Sequence, residues 1–160
     1  MKKFLKILAK KYLSEHEQEQ GRVYNEKYRK SGLTLEQAIS IKNQIDIAFK
    51  SDRLYRDNDL GLLELADYIG HDRYKVSEVI NKYYSMNFYA LLNSYRINEA
   101  KELLVTKPFS SVKSVMYEVG FNSKNSFYNA FKKDTGLSPN SYRNLRAYTD
   151  STPRQQLQFH

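Results

Sequence analysis

Residues 120–143 read Gly120-Phe-Asn-Ser-Lys-Asn-Ser-Phe-Tyr-Asn-Ala-Phe-Lys-Lys-Asp-Thr-Gly-Leu-Ser-Pro-Asn-Ser-Tyr-Arg143, which predicts a turn, a short helix and the start of another. Ser123 is suited to cap the short helix, because a serine hydroxyl can accept a hydrogen bond from a free N–H at a helix start. Phe127 and Phe131 stand four residues apart, the spacing of a single buried helix face. The Ser-Pro pair near the end of the stretch is a cap followed by proline at a first helical position, so it opens the next helix.

Upstream of this stretch, apolar residues recur with the period of a helix. Polar or glycine-containing turns separate the helical segments, and Lys107-Pro108 ends the longest of them, since proline cannot continue a helix. We find no alternating pattern that would predict a strand. The sequence therefore predicts an all-α protein of seven helices, at about residues 35–49, 62–69, 73–83, 88–105, 112–119, 124–134 and 139–148.

Two pairs of these helices have the pattern of a helix-turn-helix, which needs a small residue at the helix crossing, a glycine at the turn and apolar anchors on the second helix. In the first pair Ala66 precedes Gly70 by four residues, and the first anchor follows the glycine by six. In the second pair Met116 precedes Gly120 by four residues, and the first anchor follows the glycine by seven. Met116 departs from the small residue expected at a crossing, which suggests that these two helices cross less closely. The sequence thus predicts two helix-turn-helix units in one chain.

These two units resemble the DNA-binding domain of the AraC/XylS family of bacterial transcription regulators. The predicted helix between them adds to the resemblance, since it carries Arg96, Ala100, Leu103 and Leu104 at the family's spacings. The likeness extends over about 110 of the 160 residues, from roughly residue 35 to residue 146. It implies a sequence-specific DNA-binding transcription regulator that inserts two recognition helices into adjacent major-groove segments of one duplex.

The resemblance also sets the domain boundaries that we expect. Residues 1–33 form a basic N-terminal arm, or a juxtamembrane or linker segment, and residues 149–160 form a polar tail. The DNA-binding domain spans residues 34–148 between them. Its parts are the first helix-turn-helix at about 62–83, the linking helix at about 88–105 and the second helix-turn-helix at about 111–134.

Helical wheels select the residues that would face DNA. Asn can pair with adenine through two hydrogen bonds, and Glu can accept one from the cytosine amino group. The base-reading candidates, at positions where members of the family contact bases, are Tyr74, Ser77, Glu78, Asn125, Ser126 and Asn129. The phosphate-contacting candidates are Arg73, Lys75, Lys124, Lys132 and Arg96. Arg96 has a second interpretation, in which it holds the two units together.

The charge of the chain fits an anionic partner, with a net value of +8. Residues 101–148 hold 8 basic and 3 acidic side chains, whereas residues 60–86 hold 3 basic and 4 acidic ones. Because phosphate contacts make binding salt-dependent, we expect the second unit to supply most of the salt-dependent affinity and the first to supply register and selectivity. Double-stranded DNA is the expected partner, bound by one copy of the chain unless a missing upstream region dimerises. RNA polymerase is a candidate second partner.

Several classes of function are disfavoured by the composition. The chain has no Cys, and its three His residues show no ligand spacing, so we expect no metal site and no cofactor. No nucleophile–base motif, paired acid or glycine-rich phosphate loop is present, and we do not expect an enzyme. No apolar run reaches the ~18–20 residues that span a bilayer. We expect a cytoplasmic protein, or the cytoplasmic part of a membrane-anchored one.

Three alternatives remain open at this point. With no effector-binding site visible, the chain is either a stand-alone regulator or the output domain of a larger sensor. A rival of another class is a helical protein-interaction adaptor that has lost DNA binding, favoured by Met116, Glu78 and the near-neutral first unit. The weakest alternative is a lipid-surface binder that uses the short amphipathic stretch at residues 1–13.

Overall fold

The computed structural model describes residues 32–151. Within this range the chain forms seven α-helices, one 3₁₀-helix and no strand, which confirms the predicted all-α fold. The helices are α1 (Leu35–Lys50), α2 (Leu62–Tyr68), α3 (Arg73–Tyr84), α4 (Phe88–Thr106), α5 (Val112–Glu118), α6 (Lys124–Thr135) and α7 (Pro139–Ser151), and the 3₁₀-helix η1 (Leu54–Arg56) lies between α1 and α2. The predicted basic arm, through residue 31, and residues 152–160 of the predicted tail lie outside the described residues.

Polar side chains begin most of these helices, as their sequence positions predict. The Asp72 carboxylate accepts hydrogen bonds from the backbone N–H groups of Tyr74 and Lys75, at 2.8 and 3.3 Å. The Asn87 amide oxygen accepts one from the N–H of Ala90 at 2.8 Å. These bonds satisfy N–H groups that have no partner inside the helix. Equivalent caps are made by Ser111, Ser123 and Ser138.

Two separate apolar cores hold the helices together, and α4 contributes to both. Its first half enters the core of α1, α2 and α3, and its second half enters the core of α5 and α6. The α4 residues in the first core are Phe88, Leu91 and Leu92, and those in the second are Ile97, Ala100 and Leu104. The structure therefore has two units on one continuous helix: unit one, from α1 to α3, and unit two, from α5 to α7.

The helix-turn-helix turns of the two units begin in a similar way, although the second turn is one residue longer. Gly70 and Gly120 both have positive φ, at 69° and 94°. In unit one the N–H that follows Gly70 donates to the carbonyl of Ala66 at 2.9 Å, and in unit two the N–H that follows Gly120 donates to that of Met116 at 3.0 Å. Met116 is buried at the helix crossing, as Ala66 is. Met116 is larger than Ala66, but the hydrogen bond that closes the turn of unit two is still made.

Candidate nucleic-acid interface

The outward face of α6 presents a polar stripe to solvent. Phe127 and Phe131 are fully buried on the opposite face and fix how the helix is rotated. Asn125, Asn129 and Lys132 are exposed at i, i+4 and i+7, so they lie along one line of the helix surface. Ser126, beside this line, is exposed as well. All four are side chains that the sequence predicts to face DNA.

A cleft of about 320 Å³ lies between α5 and α6. It is lined in part by Lys113 from α5 and Lys124 from α6. The Lys113 ammonium stands 5.9 Å from the ring centre of Tyr117, and the Lys124 ammonium stands 5.4 Å from that of Tyr128. Two cations held over aromatic faces at one cleft suit an anionic group, because Lys acts as a point charge towards phosphate.

The recognition helix of unit one, α3, exposes fewer side chains. Tyr74 is 59% exposed, and its hydroxyl accepts a hydrogen bond of 2.8 Å from the Arg73 guanidinium, which also stands over its ring. Lys75 and Ser77 are half-buried, and the Lys75 ammonium donates to the Gln37 side chain of α1 at 3.3 Å. Unit one therefore presents a narrower polar face than unit two.

Glu78 differs from its predicted position. The helical wheel placed it outward with Tyr74, but only 9% of its surface is exposed. The reason lies in packing: α3 contacts α1, α2 and α4, so its buried surface extends beyond the stripe of apolar residues. The expectation that Glu78 faces solvent was wrong, and its carboxylate is set back from the surface that Tyr74 and Arg73 expose.

Arg96 is also buried, with 6% of its surface exposed. Its Nε donates to the carbonyl oxygen of Tyr55 at 2.7 Å, and a terminal nitrogen donates to that of Asp57 at 2.6 Å. Burial lowers the pKa of the guanidinium, and the nearby Asp57 opposes that shift. Of the two interpretations of Arg96, the phosphate contact does not fit this burial, and the side chain holds parts of the protein together.

Two lysines near the α6 face were not selected from the sequence. Lys133 is exposed one turn beyond Asn129, and Lys113 lines the cleft with Lys124. Lys133 could have been found from the sequence, because it follows Asn129 by four residues and so lies near it on the helix surface. Lys113 belongs to the first helix of its unit, and no spacing rule connects that helix to the cleft. The neighbouring Asp134 carboxylate does not fully neutralise the positive charge of these lysines, because it forms an ion pair of 2.9 Å with Lys101 of α4.

A family model described as a helix-turn-helix domain matches residues 65–145 of this chain. An uncharacterized HTH-type transcriptional regulator of Staphylococcus aureus strain COL is 32% identical over 108 residues, which is 67% of this chain and 14% of that protein. The chain thus spans about one seventh of the length of this relative. No helix among the described residues is long and apolar enough to cross a membrane.

Solved structures have the same fold. The C-terminal domain of AraT, a response regulator from Geobacillus stearothermophilus, is 25% identical and matches with a TM-score of 0.61 over 75% of this chain and 96% of its own. The DNA-binding domain of AdpA, a global transcriptional factor solved in complex with a target DNA, is 21% identical. It matches with a TM-score of 0.61 over 70% of this chain and 97% of its own.

Proposed function

This chain belongs to the AraC-type helix-turn-helix domain family, and we propose that it is a sequence-specific DNA-binding transcription regulator, or the DNA-binding part of a larger one. The observation that carries the proposal is the exposed stripe of Asn125, Asn129 and Lys132 on α6, opposite a fully buried aromatic face. Amide side chains can read base edges in the major groove, and lysines neutralise phosphates. A stripe of this kind on the second helix of a helix-turn-helix fits a recognition helix.

The length of the linking helix supports a placement of the two units in adjacent segments of the major groove. Helix α4 has 19 residues. At ~1.5 Å per residue it is ~28 Å long, close to the ~34 Å between successive major-groove openings on one side of a duplex. One copy of the chain would then place α3 and α6 in neighbouring segments of the groove without dimerising.

The exposure of α6 and of the start of α3 supports the following roles for individual residues. Asn125, Ser126 and Asn129 of α6 would read bases, and Tyr74 and Ser77 of α3 would read them from unit one. The side chains proposed to contact phosphate are Arg73, Lys75, Lys124 and Lys132, to which we add Lys113 and Lys133. A regulator of this kind would act in the cytoplasm and contact RNA polymerase once bound to DNA.

The test is an in-vitro selection of the purified chain against a randomised duplex library at moderate salt. We expect enrichment of a motif with two half-elements about one helical turn apart, because each recognition helix reads one of them. A single short element would mean that only one unit reads sequence. No enrichment from a chain whose circular dichroism shows a folded helical protein would overturn the proposal.

Removing the charge of Lys124 should change how DNA binding depends on salt. We expect Lys124→Ala to reduce the slope of log K against log salt by about 1, since each neutralised phosphate contributes about 0.9. The slope is measured by titration of a labelled duplex at several salt concentrations. Lys50→Ala is the matched control, because it removes the same charge from the end of α1, where Lys50 pairs with Asp46. An unchanged slope for Lys124→Ala would contradict our assignment of salt-dependent affinity to unit two.

The adaptor alternative loses two of its three supports in the structure. An exposed Glu78 carboxylate would repel the phosphates of a bound duplex, but Glu78 is buried. Met116 is buried as well and leaves the turn of unit two intact. The remaining support is the near-neutral charge of unit one. A folded chain that binds no duplex at low salt would favour the adaptor.

A further inference from the structure

A polar contact region joins the two units at the middle of α4. Arg96 lies between the parts of α4 that enter the two cores, and it donates hydrogen bonds to the carbonyls of Tyr55 and Asp57 in and after η1. The same guanidinium stands 5.3 Å from the ring centre of Phe121, which belongs to the core of unit two. A single side chain of α4 thus contacts both units.

Glu99, one turn further along α4, adds a second set of contacts at η1. Only 8% of its surface is exposed. It accepts two hydrogen bonds from the Arg56 guanidinium, one of them 3.0 Å long from Nε, and a third of 3.4 Å from Arg53. The hydrogen bonds with Glu99 raise the pKa of Arg56. Two hydrogen bonds between a planar guanidinium and a planar carboxylate fix the relative orientation of Arg56 and Glu99 as well as the distance between them.

Unit two touches η1 directly through its turn. The backbone of Gly120 lies so close that a Cβ atom there would stand 2.6 Å from the carbonyl oxygen of Tyr55 and 2.8 Å from that of Arg56. At Gly70, the equivalent turn of unit one, a Cβ atom would meet nothing within 4 Å. The close approach therefore belongs to the junction between the units and is not a general feature of the turn.

We infer that this junction, which we call the η1 seam (Arg96, Glu99, Arg53, Arg56 and the backbone of Gly120), sets the distance and angle between the two recognition helices and so selects operators by their spacing. The inference rests on the proposed function. Helix α4 alone is a single rod that can bend and twist, and the two apolar cores are separate. The seam adds a second, directional connection between unit one and unit two.

Two variants weaken the seam, and a third serves as control. Glu99→Gln removes the charge with little change in shape, and Arg96→Gln removes the guanidinium that donates to the carbonyls of Tyr55 and Asp57. Arg143 makes the same kind of bonds as Arg96, since it donates to the carbonyls of Leu104 and Ser110 at 3.3 and 2.7 Å, but it does so on the unit-two side of α4, away from η1. Arg143→Gln therefore loosens α7 and leaves the seam in place.

The first readout needs no DNA. The chain has no Cys, so Lys82→Cys on α3 and Lys133→Cys on α6 introduce the only two sites for spin labels. Both positions are exposed. Pulsed electron paramagnetic resonance then gives the distribution of distances between the recognition helices. We expect one narrow distribution with the native seam and with Arg143→Gln, and a broader one with Glu99→Gln and Arg96→Gln.

The second readout uses the operator. From the selected duplex, a series is made in which the spacer between the half-elements is one base pair shorter or longer, a change that moves one half-element by about 3.4 Å and turns it by about 34°. We expect the native chain to lose roughly tenfold in affinity on each altered spacer, comparable to the loss of one base contact. Glu99→Gln should lose less than about threefold, because a looser junction adapts to the changed spacing.

The outcomes separate the seam from the proposed function. If circular dichroism shows that Glu99→Gln is folded, and it keeps the native distance distribution and the native spacer preference, the inference is overturned and α4 alone sets the spacing. If the seam variants broaden the distances but the native chain binds no duplex, the DNA-binding proposal fails while the mechanical role of the seam stands. Arg96→Gln supports the inference only if Arg143→Gln leaves both readouts unchanged.

Discussion

Replacing Gly120 with Ala is expected to lower the free energy of unfolding by about 3–5 kcal/mol, whereas the same change at Gly70 should cost about 1–2 kcal/mol. Both glycines have positive φ, which an L-amino acid adopts only with strain. At Gly70 the strain is the whole cost, because the added Cβ meets open space. At Gly120 the Cβ would also collide with the backbone of η1, and backbone cannot move aside as a flexible side chain can.

Urea unfolding followed by circular dichroism measures this difference. Gly70→Ala is the control for backbone strain, so the excess loss at Gly120 reports the contact between unit two and η1. We expect the two variants to have similar m-values, because the surface exposed on unfolding is the same. Equal losses for the two variants would show that the close approach of Gly120 to η1 contributes nothing to stability.

The features that sequence reasoning predicted are those that depend on neighbours in the chain. The capping role of Ser123 and the turn at Gly120 depend on residues within a few positions, so the local pattern contains the information. The burial of Phe127 and Phe131 follows from helical period, which is also local. These features suffice for the all-α fold and the outward stripe of α6.

The features that it did not predict depend on contacts between distant parts of the chain. Glu99 and Arg56 are 43 residues apart. A structural role was one interpretation of Arg96, but its partners are backbone carbonyls, which leave no mark in the side-chain pattern. Charged residues are seldom buried without partners, so a pattern-based interpretation places them in solvent. For the same reason Glu78 was assigned to the exposed face of α3, although three neighbouring helices cover more of that helix than its apolar stripe suggests.

Asn129→Ala is expected to weaken binding to the selected operator by roughly 5- to 150-fold, equivalent to the ~1–3 kcal/mol of discrimination that a paired amide–base contact supplies. Asn125→Ala should have an effect in the same range if it reads the adjacent base. Both side chains are exposed on α6, and Ala has a higher helix propensity than Asn, so neither change should unfold the helix. A loss of affinity would then report a lost contact with DNA.

The pattern of the loss distinguishes base reading from a general effect. If Asn129 reads a base, Asn129→Ala should bind all variants of one operator base pair about equally and keep its preferences elsewhere, as fluorescence anisotropy with single-substitution duplexes can show. Asn43→Ala is the matched control, since Asn43 is exposed on α1, outside both recognition helices. A uniform loss over all duplexes would assign Asn129 to phosphate. Unchanged affinity and unchanged preferences would remove Asn129 from the interface, and the α6 stripe would then have to bind through Lys132 and its neighbours alone.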